Sequence, residues 1–157
     1  MRKAILPVAL VVAVGVGFAV VNATAKDKPK GAQHGATIHV IEHATTDSVI
    51  DTGLPGDTTG DLLTFHNAVF NATNAKRVGR DQGDCIRIAP SRGSWECRWV
   101  TRVSGGSITV EGAFFDTRNS VLAVTGGTGI YRNARGTMDL QARNGGAEFD
   151  FIFNLVP

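Results

Sequence analysis

Glu148-Phe149-Asp150-Phe151-Ile152-Phe153-Asn154-Leu155 lies near the end of the chain and has a period of two. In an extended strand, Phe149, Phe151, Phe153 and Leu155 fall on one face. Glu148, Asp150 and Asn154 fall on the other. One face is therefore dry and one wet, as in an antiparallel sheet that covers a core. The aromatic row is either core packing or the wall of a cavity.

The same period recurs backwards along the chain. It is found in Gly136–Ala142, Ser120–Val124, Ser107–Phe115, Trp95–Val103, Leu62–Phe70 and Thr37–His43, and in Lys76–Gly79 continuing to Cys85–Ala89. No window after residue 25 carries a helical repeat. Gly105-Gly106 and Asn144-Gly145-Gly146 are hairpin signals, and the 19 glycines suit the bends that close a sheet. The expected fold is all-β, an eight-stranded antiparallel up-and-down β-barrel. A barrel of that size holds side chains or one small ligand.

The first residues read differently. Arg2 and Lys3 precede an apolar run from Ala4 to Val21, and Ala23-Thr24-Ala25 offers a small-x-small cleavage pattern. Residues 1–25 are expected to be a signal peptide, 26–35 a flexible leader, and 36–157 the barrel domain. The protein is then secreted. The alternative is an uncleaved segment that anchors it on the outer face of the membrane. The leader holds three basic residues, so the formal charge of +2 says little about the domain and makes no case for nucleic-acid binding.

Two cysteines, Cys85 and Cys97, flank Ile-Arg-Ile-Ala-Pro-Ser-Arg-Gly-Ser-Trp-Glu. A hairpin centred on residue 91 sets them opposite each other, close enough to bridge. A disulfide fits an oxidising compartment; the alternative is two thiols packed as small apolar groups.

Two segments resemble allene oxide cyclase. One is Gly60-Asp61-Leu62-Leu63-Thr64-Phe65-His66-Asn67, continuing through Lys76-Arg77-Val78-Gly79 to Cys85-Ile86. The other is Ile108-Thr109-Val110-Glu111-Gly112 with Leu122-Ala123-Val124-Thr125-Gly126-Gly127-Thr128-Gly129-Ile130-Tyr131. The dirigent proteins, a sister family, carry a similar Gly-Gly-Thr-Gly stretch. The resemblance implies an eight-stranded barrel, often trimeric. It also implies a buried Glu at Glu42, an Asn at Asn67, a Cys at Cys85 and a Pro at Pro55. Other family positions differ here: Ala44 replaces an Asn, Phe114 a Tyr and Leu54 a Ser.

Strand parity sorts the interior. If Glu42 points in, so do Ile38 and Val40. If Asn67 points in, so do Leu63, Phe65 and Val69. If Cys85 and Cys97 point in, so do Arg87, Trp95, Trp99 and Thr101, with Phe114 on the next strand. The interior is then apolar with a few polar groups, the usual make-up of a small-molecule site. Glu42 and Asn67 are the candidate catalytic residues. Pro55, Phe65, Cys85, Arg87, Trp95, Trp99, Phe114 and Phe151 are the candidates for contacting ligand. A Glu42–Arg87 ion pair is expected, because a lone carboxylate in an apolar barrel needs a cation or a raised pKa.

No motif requires a cofactor. Of four histidines, His34 lies in the leader and His39, His43 and His66 take outward faces, so no metal site is expected. Gly126-Gly127-Thr128-Gly129 lacks the Lys and helix of a phosphate loop and reads as a turn. Ile41, Ile86, Ile88 and Val100 on the outer face point to a homo-oligomer, a dimer or trimer. The expected partner is a small hydrophobic ligand. The barrel would act as a cyclase or isomerase on a polyunsaturated or epoxide-like molecule; the alternative is a non-catalytic dirigent-like or lipocalin-like binder.

Overall fold

The computed structural model describes residues 35–157. The expected export segment and all of the leader but Gly35 lie outside the described residues. The strands are β1 (Thr37–His43), β2 (Ser48–Ile50), β3 (Leu62–Phe65), β4 (Ala68–Asn71), β5 (Arg77–Ala89), β6 (Ser94–Val103), β7 (Gly106–Phe115), β8 (Ser120–Gly129), β9 (Gly136–Arg143) and β10 (Glu148–Leu155).

Every pairing is antiparallel, and β5 meets β6 to close the sheet. The ring runs β1–β4–β5–β6–β7–β8–β9–β10 and back to β1, an eight-stranded barrel. The run expected as one strand over Leu62–Phe70 is broken at His66-Asn67. Its halves, β3 and β4, still lie end to end along β5, against residues 83–86 and 77–80. Asn67 and Asp81 still exchange backbone hydrogen bonds across the break, at 3.2 and 3.0 Å, and the Asn67 N–H also donates to Asp81 Oδ1 at 3.0 Å. β2 pairs only with β3 and lies outside the ring as a short extra strand.

The β5–β6 hairpin turns through Pro90–Arg92 and leaves through Gly93, whose φ of 58° suits glycine. Cys85 pairs with Cys97 in that register, and the two form a disulfide with Cα atoms 4.0 Å apart.

The β8 run is longer than expected. Gly126–Gly129 is the paired end of the strand, not a turn; the turn follows at residues 130–133. Glycine is needed there, since a Cβ on Gly127 would lie 2.3 Å from the Ser107 carbonyl oxygen.

The interior is packed where parity put it: Val110, Ile108, Met138, Phe151 and Phe153 are essentially inaccessible. The outer face needs one correction. Ile41 is fully buried, held between β4 and β10, where its register partners are Phe70 and Asp150. Val100 is half-buried, and Ile86 and Ile88 are exposed.

Candidate functional site

The inward faces of β1, β3, β5, β6, β7, β9 and β10 leave a narrow, open-mouthed cavity of about 40 Å³ as the centre of a water-sized sphere explores it. Five aromatic rings form most of its wall: Phe65, Trp99, Phe114, Phe149 and Phe151. They touch edge-on or tilted, with Phe65–Trp99 centroids 5.9 Å apart, Trp99–Phe151 5.5 Å and Phe114–Phe149 6.0 Å. Leu63, Leu140 and the Cys85–Cys97 disulfide complete the apolar surface. Among the described residues, its ionisable lining groups are Glu42 and Asp47.

Asn67 organises the acidic end. Its Nδ2 donates to Glu42 Oε1 and to Asp47 Oδ1, both at 2.7 Å. Its Oδ1 accepts from the Thr45 and Thr46 amides at 3.1 and 2.9 Å and from the Thr46 hydroxyl at 2.9 Å. The side chain thus fixes the turn after β1 and aims two carboxylates at the cavity. The strand break and the site meet at Asn67.

Asp81 joins this cluster, fully buried beside Glu42, with no protein donor to its Oδ2. Burial pushes the Glu42 carboxyl well above the ordinary range; the Asp81 charge and a hydrogen bond shared with Asp81 add to it, and the Asn67 hydrogen bond opposes it. Burial likewise raises Asp81 to about 6, against hydrogen bonds from Glu42 and the Asn67 amide. Of the two, Glu42 is the carboxyl that burial and its neighbour push further toward the protonated form. Nearby, Trp99 Nε1 and Thr101 Oγ1 are also buried without protein partners, and Thr101 stands directly across β6 from Asp81.

The expected Glu42–Arg87 ion pair does not form. Arg87 grips Asp57 with two hydrogen bonds, Nε–Oδ1 at 2.6 Å and an Nη–Oδ2 bond at 2.7 Å. A third bond, at 2.6 Å, reaches Asp116. Its guanidinium lies 4.2 Å from the Trp95 ring centre, and Trp95 Nε1 donates to Asp116 at 2.8 Å. Six positions along β5 separate Arg87 from Asp81, with Cys85 and Gly83 between them on the same face, so the cation sits at the rim while the acids lie deeper. The residue is on the predicted face but at another level, where the loop between β2 and β3 supplies its partner.

Of the residues expected to contact ligand, Phe65, Cys85, Trp99, Phe114 and Phe151 line the cavity beside Glu42. Asn67 lies behind, bonded to Glu42. Arg87 and Trp95 form the rim cluster, and Pro55 is exposed in the loop, outside the cavity wall. Because Cys85 is disulfide-bonded, it presents no thiol there.

Asp81 escaped sequence reasoning, as did Asp47; Phe149 belongs to the aromatic row whose alternative reading was a cavity wall. Parity did carry a signal for Asp81, which shares a face with Cys85 and Gly83. The histidines make outer-surface contacts: His39 with Asp150 at 2.7 Å, His43 with Asn74 at 2.7 Å, and His66 with Arg80 at 3.4 Å. Among the described residues, no three His, Cys, Asp or Glu side chains converge as a metal set.

Comparison with known proteins points one way. A family model described as allene oxide cyclase matches residues 40–149. Among solved structures, a pyocyanin demethylase is similar at 24% identity and TM-score 0.68, over 77% of this chain and 100% of that one. A pterocarpan synthase dirigent protein is similar at 16% identity and TM-score 0.61, over 78% and 86%. A Diels–Alderase from Streptomyces koyangensis is similar at 16% identity and TM-score 0.61, over 78% and 64%. At these identities the structural likenesses speak for the barrel alone.

Proposed function

The chain belongs to the allene oxide cyclase family, and from that premise we propose that its cavity binds a small hydrophobic molecule and directs its ring closure or stereochemistry. One observation carries the reading: Glu42, its carboxyl pushed well above the ordinary range by burial, stands at the end of an aromatic-walled cavity. A protonated carboxyl in a dry site is a hydrogen-bond donor and general acid; once ionised it stabilises a developing cation. Asn67 fixes its position and Asp81 shares its proton. The rings hold a flexible substrate in a folded, reactive conformer, which alone supplies much of a ring-closing acceleration.

Glu42 and Asn67 are assigned the catalytic roles. Phe65, Trp99, Phe114 and Phe151 shape the ligand, and the disulfide stiffens the wall. A guiding role without chemistry is the second reading. It is favoured by Cys85 being tied in the disulfide and by Ala44 and Phe114 at positions where the cyclases carry Asn and Tyr. Export by the N-terminal segment belongs to the same proposal, supported by its basic start, apolar run and small-x-small pattern. Exposed Ile86 and Ile88 support self-association.

The test starts with native mass spectrometry of protein from its own producer, to find a retained ligand. Glu42→Gln is then compared with the parent on that ligand. Retained binding with turnover reduced by 10²-fold or more, on the order expected for a lost general acid, supports the catalytic reading. Unchanged turnover refutes it.

A further inference from the structure

Charge at the cavity's mouth and floor is one-sided. Both charged lining residues are acids, Glu42 inside and Asp47 at the exposed edge. Asp81 adds a third carboxyl, fully buried behind Glu42. From Ala44 to Asp61 the chain carries Asp47, Asp51, Asp57 and Asp61 and no Lys or Arg, within a sequence whose formal charge is +2. The buried cation at this end is consumed: Arg87 is bonded to two carboxylates, Asp57 and Asp116. Other nearby arginines face away. Arg118 stacks 3.7 Å over the ring of Phe115, the outward neighbour of Phe114, and Arg143 reaches Asp150 on the outside.

We propose that the ligand of this cavity is a hydrophobic molecule bearing a basic nitrogen or other cationic centre, and that anionic ligands, fatty carboxylates included, are excluded. The inference deepens the reading above and rests on it. The acids at the edge draw a cation in and raise its local concentration. The aromatic walls then hold it by their negative ring faces, with the positive centre against Glu42 and Asp47. An anion would meet the same carboxylates with no counter-charge, at a cost that rises as the cavity dries. Cation binding also draws the shared proton off the Glu42–Asp81 pair, so affinity for a cation rises with pH as long as the ligand stays protonated.

The test uses three probes of one shape: 1-naphthylmethylamine, 1-naphthalenemethanol and 1-naphthoate, titrated into the full chain by calorimetry at pH 7. The amine is expected to bind about tenfold tighter than the alcohol, and the carboxylate weaker than both. Amine affinity should climb between pH 5 and 8 with proton release, and alcohol affinity should stay flat. The double variant Glu42→Gln/Asp47→Asn should bring the amine-to-alcohol ratio toward one. Carboxylate binding as tight as the amine overturns the inference. So does equal binding of amine and alcohol, although the cavity then remains a hydrophobic site. If even the alcohol fails to bind, the cavity reading falls and takes the inference with it.

Discussion

Two buried charge clusters stand six residues apart on the same face of β5, and they are balanced in opposite ways. At the rim, one guanidinium holds two carboxylates and an aromatic ring, and every hydrogen bond is short. Deeper in, Glu42 and Asp81 lie side by side, Asn67 donating from its side chain to the one and from its backbone to the other, and among the described residues no cation pairs with either. The first cluster behaves as a fastener, joining the loop after β2 to the turn after β7. The second stores a proton. A buried charge can be answered by a counter-ion or by neutralisation, and this barrel uses one answer for structure and the other at the site.

The largest expected effect comes from what lies between them. The Cys85–Cys97 bridge closes a separation of 12 residues. Replacing both cysteines with Ala should lower stability by about 3 kcal/mol in the loop-entropy model, measured by urea unfolding. A loss below about 1 kcal/mol would show that β-pairing alone sets the β5–β6 register.

Next is the fastener. Arg87→Met should cost about 2 kcal/mol, less than a fully buried pair because Asp57 and Asp116 are partly open to solvent. It should also leave the titration of Glu42 where it was. A shifted Glu42 would mean the two clusters are coupled after all.

Then comes the proton store. Asp81 is raised from 3.8 to about 6 in the folded protein, so the fold holds more protons than the unfolded chain in that window. Stability contributed by the pair is present below about pH 4 and is lost as pH rises through about 6. Asp81→Asn should flatten that slope, a change on the order of 1–2 kcal/mol between pH 4 and 7. An unaltered slope would place the pH dependence elsewhere. The smallest effect is expected from Asp57→Asn, under about 1 kcal/mol for a half-exposed partner, but with faster hydrogen exchange in the loop over residues 51–61.

The difference between the clusters also explains what could be read in advance. The barrel was legible because period-two runs and glycine turns are local, and because Cys85 and Cys97 lie symmetrically about residue 91. The inward set followed from parity. Arg87's partner did not, since Asp57 sits in an aperiodic loop whose path depends on the finished barrel. Asp81 was hidden in the polar run Arg80-Asp81-Gln82, which looks like a solvated edge until the register from Cys85 is carried back four positions. The break at Asn67 was invisible too. There Asn67 pairs with Asp81 on β5 and turns its side-chain amide to the loop after β1.

The central claim is that Glu42 is held protonated by burial and by Asp81 at the end of an aromatic cavity. The most direct measurement is a carboxyl ¹³C NMR titration of glutamate-labelled protein, with Glu42→Gln used to assign the resonance. Glu42 should remain protonated at pH 7, and its midpoint should fall in Asp81→Asn. A Glu42 resonance that titrates near pH 4.5, like an ordinary glutamate, would contradict the account.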